Sequence, residues 1–340
     1  MEDLIKFESS LYLDLPFDGN YDNDNIGFYV DRIVVFPSLR PFSIDKVVRF
    51  CEDLKSISNF RQQLLKESIK KCPVLVFRLL NSGFLEFSEI SPFLGNSSYI
   101  TSFYFRKEIP DFEKHIKTKE KPIGLENSFV ENDSDIDGLI QYGYLPGSIE
   151  YSLKYDDVET FRDLFANKPK KVKWSPFEWS RKPKSLGLLS FSSFFGSIQC
   201  FKHMLMNGYK IDDASHALSV CSGNFDLFRL CSERKSLSSE QLCLATEFYH
   251  FPLMEYILEN GVDIHAKNSL KVSPIHVAAE KGHIGIIDYF FKNRCYLMLK
   301  NNRGMSPLHF AAGNGHINVI KYLLNKRAKI NDRSSWIYFI

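Results

Sequence analysis

The sequence predicts an all-α protein with a helical N-terminal domain followed by a solenoid of stacked helix pairs. The main observation is a 33-residue period, because SPIH at residues 273–276 recurs as SPLH at residues 306–309. The second is an N-terminal region that lacks this period but carries apolar residues at helical spacing. The third is a hydrophobic content of 44%, which is too high for a disordered chain. We predict a helical domain over residues 1–125, degenerate repeats over 126–265 and regular repeats over 266–340.

Each regular repeat contains the parts of an inner and an outer helix. Proline at the first helical turn needs no N–H partner, and the serine before it can cap the exposed N–H groups. Ala-Ala follows in both copies, and these small side chains let a neighbouring helix approach closely. Gly282 and Gly315 can end the inner helix with a positive φ. The outer helix then carries larger apolar residues at helical spacing, such as Ile286, Ile287 and Phe290.

These residues resemble the ankyrin repeat, whose period is 33 and whose signature is T-P-L-H-x-A. Serine replaces threonine in both copies. Weaker copies lie upstream and bring the array to about six units, which would share one continuous core. They are Ser239–Ile264, Ala217–Cys231, Leu188–Gly208 and Ile149–Phe165. After Asn331 the residues DRSSWIYFI begin a further, incomplete repeat.

The order of several segments also resembles a large ankyrin-repeat family of protists, in which a helical N-terminal region precedes degenerate and then regular repeats. The segments are FPSLRPF, EISPFL, YGYLPGSIEYSLKYD and the stretch from WSPFEW to MLMNG. This resemblance implies a fold and no chemistry for the N-terminal region. There we predict helices over residues 45–58, 60–69 and 73–84, and an extended linker over Phe36–Phe42 because of its two prolines.

Four histidines of the regular repeats, His276, His283, His309 and His316, raise the question of a metal site. Seven residues of helix separate the members of each pair by about 10 Å, and adjacent repeats stack about 8–10 Å apart. Zinc needs each nitrogen at about 2.0–2.1 Å, so these side chains cannot share one ion. We predict instead that His276 and His309 open the inner helices and exchange hydrogen bonds with the serine hydroxyl and neighbouring loop backbone, while His283 and His316 end these helices. We predict no metal or cofactor.

A calcium loop is an alternative for DSDIDG at residues 133–138, which matches the first six positions of such a loop. The loop should close with a glutamate at position twelve, but Tyr144 stands there. The same residues fit the start of an outer helix, where acidic side chains interact favourably with the helix dipole. We therefore predict a helix.

Composition and motifs argue against several function classes. The net charge of +2 gives no strong attraction to nucleic acid or anionic membranes. The least charged window, Ser185–Phe201, contains five serines and falls just short of a membrane span. Seven scattered cysteines without C-x-x-C indicate a reduced, intracellular protein, and the acidic start lacks the features of a secretory signal. Known catalytic motifs are missing. We predict no enzyme, with an unrecognised site in the N-terminal domain as the alternative.

Two basic clusters, Lys168–Lys173 and Arg181–Lys184, together resemble a two-part nuclear import signal. The competing interpretation is a solvated insertion between repeats. We expect a cytoplasmic protein, or a nuclear or chromatin-associated adaptor if the signal acts. Changing Lys170 and Lys171 to alanine in a tagged copy separates the two, because an unchanged distribution would remove the import hypothesis.

The predicted function is that of a non-enzymatic scaffold for protein–protein interaction. The ankyrin resemblance implies contacts through a concave face, built from the hairpin tips before each S-P-[IL]-H and the inner-helix residues after Ala-Ala. Basic residues at these tips favour a protein partner with an acidic surface. Small molecules, membranes and nucleic acid are not expected as partners. The predicted contact residues are Lys267, Ser269, Leu270, Val272, Glu280, Lys281, Lys300, Asn302, Arg303, Met305, Gly313 and Asn314.

One hairpin departs from the repeat pattern. Gly304 precedes the variable residue before the second S-P pair, but Lys271 stands at the corresponding place before the first. A residue other than glycine rarely adopts a positive φ. We therefore predict that the turn at Lys271 is either strained or differently shaped.

Overall fold

The chain forms two compact units in a computed structural model. The N-terminal unit is Tyr21–Leu188, and the repeat unit is Leu189–Ile340 together with Met1–Asn20. The predicted boundaries after residues 125 and 265 are based on the repeat pattern of the sequence, whereas the two compact units are defined by their contacts. These boundaries stay predictions. The structure describes Glu2, Phe7, Leu11 and residues 25–39, 44–57, 59–119, 133–166, 171–175, 185–326 and 328.

Helices make up most of the described N-terminal unit, which agrees with the predicted fold class. They are α1 Ile26–Leu39, α2 Ile44–Leu54, α3 Phe60–Lys71, α4 Pro73–Asn81, α5 Phe87–Leu94, α6 Tyr99–Tyr104, α7 Phe112–Lys117, α8 Asp133–Tyr142, α9 Ile149–Tyr155 and α10 Val158–Phe165. Helix α1 packs on α2 and α3, and α4 packs on α2, α3 and α6.

The three predicted N-terminal helices are confirmed as α2, α3 and α4. Helix α2 buries Val47, Cys51 and Leu54 completely, and their spacing places them on one face. Helix α4 begins at Pro73, where a missing N–H costs no hydrogen bond. Gly83, two residues after its end, takes a φ of +78°.

The predicted extended linker over Phe36–Phe42 is wrong in its first half. Residues Phe36 to Leu39 continue helix α1, although Pro37 removes one helical hydrogen bond. Phe36 is buried, with 2% of its surface exposed. Tertiary packing of this turn therefore outweighs the tendency of proline to break a helix. Residues 40–42 lie outside the described residues.

A small β-hairpin interrupts the otherwise helical chain. Strand β1, Lys171–Lys173, pairs antiparallel with strand β2, Ser185–Gly187. Val172 is buried while its two lysine neighbours face solvent, which is the alternation expected of a half-buried strand. Helix α9 contacts β1.

All six predicted repeats occur as helix pairs; the first pair, α9–α10, belongs to the N-terminal unit, and the other five make up most of the described repeat unit. The remaining helices are α11 Leu188–Phe195, α12 Ile198–Met206, α13 Asp213–Leu218, α14 Phe225–Ser232, α15 Ser239–Glu247, α16 Phe251–Glu259, α17 Pro274–Lys281, α18 Ile284–Lys292, α19 Pro307–Gly313 and α20 Ile317–Asn325. Within the part of the chain that is described, none of these or the earlier helices has the length and apolar character needed to cross a bilayer.

Inner helices stack on inner helices, and outer on outer. Helix α15 packs on α13 and α17, α17 packs on α19, and α18 packs on α20. Ala278 and Ala279 are fully buried in the inner layer, as are Ile286 and Phe290 in the outer layer.

All seven cysteines are buried thiols, as the sequence indicated, and burial raises the pKa of Cys231 to about 11. A neutral thiol of this kind is a poor nucleophile.

Candidate protein-interaction surface

Two hairpin tips project between an outer helix and the next inner helix. We define them as residues 267–272, before α17, and residues 300–305, before α19. In the first, the Asn268 N–H donates to the Val272 carbonyl at 2.8 Å. In the second, the Asn301 N–H donates to the Met305 carbonyl at 3.0 Å. The two tips therefore have the same backbone pattern.

An asparagine side chain fixes each tip from inside. Oδ1 of Asn268 accepts hydrogen bonds from the N–H groups of Leu270 at 3.1 Å and Val272 at 3.0 Å. Oδ1 of Asn301 accepts them from Arg303 at 2.9 Å and Met305 at 3.0 Å. Sequence reasoning missed both asparagines, although their 33-residue separation was a readable signal. These bonds fix the backbone of both tips.

Lys271 has a φ of +61°, and Gly304 has a φ of +69° at the corresponding place. The prediction of strain is confirmed, because the two tips share one hydrogen-bond pattern while Lys271 carries the side chain that this φ disfavours. The turn is strained rather than differently shaped.

Lys271→Gly is expected to raise the free energy of unfolding by about 1 kcal/mol, since glycine adopts this φ without the Cβ conflict. Urea unfolding of the purified chain measures the change. Lys271→Ala is the matched control, because it removes the charge and keeps the Cβ. A gain of the same size in the alanine variant would contradict the strain and point to charge repulsion instead.

The histidines of the S-P-[IL]-H motifs close capping boxes, as predicted. Nδ1 of His276 accepts a hydrogen bond from the Ser273 hydroxyl at 2.6 Å, and its Nε2–H donates to the Met305 carbonyl at 3.1 Å. Nδ1 of His309 accepts from the Ser306 hydroxyl at 2.9 Å. His276 thereby joins its own helix cap to the next hairpin tip.

The second histidine of each repeat bonds to the preceding repeat. Nε2–H of His283 donates to the Glu247 carbonyl at 3.0 Å, and that of His316 donates to the Glu280 carbonyl at 2.8 Å. His250, at the same place one repeat earlier, donates to the Cys221 carbonyl at 2.8 Å. Among the described residues, no group of three or more histidine, cysteine or acidic side chains is placed to hold a metal. The histidines act as structural links.

The predicted contact residues differ in how far they face solvent. Leu270 is the most exposed large apolar side chain of the two tips, at 78%. Val272, Glu280, Lys281 and Met305 are half-buried. The exposed ones are Lys267, Ser269, Leu270, Lys300, Asn302, Arg303, Gly313 and Asn314.

Some of the predicted contact residues bind within the chain. The Ser269 hydroxyl donates to the Glu240 carboxylate at 3.1 Å. The Lys281 ammonium lies 3.2 Å from the Glu247 carboxylate and 3.8 Å from that of Glu280. The first contact joins the tip at residues 267–272 to inner helix α15, and the Lys281–Glu247 pair joins inner helices α17 and α15.

Long hairpin tips do not precede every inner helix. Only residues 207–212 connect α12 to α13, and only residues 233–238 connect α14 to α15. By comparison, residues 260–273 connect α16 to α17. The connections before α17 and α19 are therefore longer than those before α13 and α15.

The two alternative motifs have different outcomes. DSDIDG at residues 133–138 lies in helix α8, which confirms the helical prediction. Its Asp137 carboxylate lies 3.0 Å from both the Arg106 guanidinium and the Lys107 ammonium. In the basic segment, Lys171 and Lys173 lie on β1, while residues 168–170 and 181–184 lie outside the described residues. The import signal stays a prediction.

A serine–histidine contact bears on the enzyme alternative. The Ser102 hydroxyl lies 3.1 Å from Nε2 of His115, a spacing that would suit an activated nucleophile. Ser102 is fully buried, however, and lies in hydrogen-bond distance of the Ser98 carbonyl and the Ser97 hydroxyl. A substrate could not reach this hydroxyl without opening helix α6, so the contact is a structural link between α6 and α7.

The comparisons with known proteins support one part of the chain. Residues 242–334 match the family model of ankyrin repeats, in three copies. This segment begins within α15 and includes both hairpin tips. No curated protein matches the chain. The helix pairs before α15 lie outside the matched residues. Residues 242–334 are therefore an array of ankyrin repeats, a module for protein–protein interaction, that follows a helical N-terminal region.

Proposed function

We propose that the chain is a non-enzymatic scaffold that captures a partner protein through the two hairpin tips of its ankyrin repeats. The carrying observation is a cluster of exposed cations on rigid tips. Lys267 and Lys271 lie on the first tip, and Lys300 and Arg303 lie on the second, all exposed to solvent. The chain as a whole has a net charge of only +2, so this positive charge is local.

The chemistry of the tips favours an acidic partner surface. Four cations on two neighbouring tips attract carboxylates and raise the rate of encounter. Leu270 adds an apolar contact between the two lysines of the first tip. Because Asn268 and Asn301 already fix the backbone of the tips, less backbone conformational entropy is lost on binding.

The location of this activity is part of the proposal. Seven buried thiols suit the reducing cytoplasm. Delivery to the nucleus is the second candidate, and it depends on the basic segment around β1, where Lys171 and Lys173 face solvent.

Neutralising the four tip cations, as K267Q, K271Q, K300Q and R303Q together, is expected to weaken partner binding at least about fourfold. Each exposed charge contributes about 0.2–1 kcal/mol, and the contributions add across the two tips. Affinity capture with the intact and neutralised chains, followed by titration of the captured protein at two salt concentrations, measures the effect.

A control variant removes four other exposed cations, Lys66, Lys70, Lys202 and Lys321, which lie on helices rather than on the tips. It should bind as the unchanged chain does. Equal recovery by the tip variant and the unchanged chain would remove the proposed surface. Equal weakening by both variants would mean that net charge, rather than the tips, drives binding.

A further inference from the structure

Two large apolar side chains are exposed just before the second hairpin tip. Tyr296 is 70% exposed and Met298 is 43% exposed, whereas their neighbours Cys295 and Leu297 are buried. A single exposed apolar side chain needs no explanation. Tyrosine and methionine are, however, among the residues enriched at protein interfaces, so the way in which Tyr296 is held decides whether it is a candidate contact.

Tyr296 is held in place by the preceding repeat. Its N–H donates to Nε2 of His265 at 3.3 Å, and the two ring centroids lie 5.0 Å apart with the planes tilted by 41°. Because Nε2 accepts this bond, the proton of the neutral ring is on Nδ1, which donates to the Asp263 carboxylate at 3.1 Å. The His265 N–H donates to the same oxygen at 2.9 Å. Less side-chain entropy is therefore lost when a partner packs on Tyr296 than on a mobile side chain.

Positive charge surrounds this contact along the chain. Residues 264–272 and 294–303, the segments that meet where His265 touches Tyr296, contain two and three cations and no acidic residue. Asp263, just before the first segment, has its carboxylate bonded to His265. The charge near Tyr296 therefore complements an acidic partner.

Two of these cations lie next to the aromatic pair. Lys267 is two residues beyond His265, and two residues of chain span at most about 7 Å. The Tyr296 carbonyl accepts a hydrogen bond from the Leu299 N–H at 3.2 Å, and this turn brings the following Lys300 back toward Tyr296. Both lysines are exposed. An apolar side chain placed on Tyr296 would thus have cations within reach of its neighbours.

Backbone strain also marks the cations of this region. Arg294 has a φ of +61° where Gly261 stands one repeat earlier, and Lys271 has a φ of +61° where Gly304 stands one repeat later. Among the other described residues with a side chain and a positive φ, three are asparagine or aspartate, which tolerate it, and Tyr249 is buried. Arg294 and Lys271 are exposed, so core packing does not explain them. Such strain costs stability and is typical of functional sites.

We propose that Tyr296 is the apolar anchor of the tip surface, and that its occupant is a segment of a partner protein with one large apolar side chain between carboxylates. The apolar side chain packs on Tyr296 and Met298. The carboxylates pair with Lys267 and Lys300. This inference rests on the proposed function and names the kind of segment that the tips bind. Exposed charge pairs add little affinity each, whereas packing on a fixed aromatic ring is typical of the residues that dominate binding.

The test selects random peptides, displayed on phage, on the full chain. Peptides that carry both acidic residues and a large apolar side chain should be enriched. The tip variant should lose the preference for acidic residues, and Tyr296→Ser with Met298→Ser should lose the preference for the apolar one. Acidic peptides without an apolar side chain would overturn the anchor and leave the tip function standing. Apolar peptides without acidic residues would remove the tip function alone, and no enrichment at all would overturn both.

Titration of one enriched, labelled peptide measures the anchor directly. Tyr296→Ser should weaken binding about 10- to 30-fold, and Tyr296→Phe, which keeps the ring, should bind within about twofold of the unchanged chain. The matched control is Met206→Ser, because Met206 is 76% exposed at the end of α12, and it should change nothing. Equal affinities of the Tyr296→Ser and unchanged chains would contradict the proposal.

Two further measurements complete the test. Replacing the apolar residue of the peptide by serine should weaken binding to the unchanged chain and have little further effect on the Tyr296→Ser chain; strictly additive losses would show that the two side chains do not meet. This change in the peptide leaves the folding of the chain untouched. Light scattering should give a monomer mass, and a dimer that Tyr296→Ser dissociates would make a second copy the occupant and overturn the proposal.

Discussion

Gly223→Ala is expected to lower the free energy of unfolding of the repeat unit by about 3 kcal/mol. Gly223 has a φ of +72°, which an L side chain rarely adopts, and an added Cβ would lie 2.4 Å from Cε1 of His250. The His250 ring is buried at 3% exposure, and its Nε2–H donates to the Cys221 carbonyl at 2.8 Å. The ring cannot retreat without losing the bond that joins two repeats, so backbone strain and steric conflict act together.

Urea unfolding followed by circular dichroism measures this loss, and Gly261→Ala is the matched control. Gly261 has a φ of +87° but no atom within 4 Å of an added Cβ, so it should lose only about 1 kcal/mol from the backbone. If both variants lost the same amount, the His250 ring would be able to move aside. The contact between these repeats would then be looser than the geometry indicates.

The 33-residue period predicted the regular repeats well because their contacts form within one repeat or between adjacent repeats. Ser273 and His276 are three residues apart and cap their own helix. The link from His283 to the Glu247 carbonyl reaches the preceding repeat, yet the stacking of like units makes it recur. Such contacts depend on residues within one or two periods, which the sequence displays directly.

Other features could not be predicted because they depend on packing between distant residues. Pro37 stays helical since Phe36 is buried in the core of the N-terminal unit. Glu240 and Glu247 engage Ser269 and Lys281, and no local pattern shows which acidic residue of a neighbouring repeat will face them. Burial of Phe7 depends on the folded chain as well.

Mild acid is expected to destabilise the repeat unit through His276. Burial is the main reason that the pKa of His276 falls from its ordinary value to about 4, because the charged ring is poorly solvated there. The unfolded chain keeps the ordinary value of about 6.5. Between these values the unfolded state binds the extra proton, so stability falls as the pH drops from about 6.5 to about 4. The full loss is about 3 kcal/mol.

His276→Gln isolates this contribution, because the chain already uses glutamine at the corresponding place in another repeat. Oε1 of Gln241 accepts the Ser238 N–H at 3.0 Å, in the same capping box. Near pH 7.5, the free energy of unfolding of the variant should therefore lie within about 1 kcal/mol of that of the unchanged chain. Urea unfolding at several pH values measures the free energy of unfolding of both proteins. Below pH 6.5, the unchanged chain should lose stability relative to the variant, and the difference should grow as the pH falls. Parallel curves would mean that His276 takes up its proton in the folded state, which would require Ser273 to release Nδ1 and the inner helix to lose its cap.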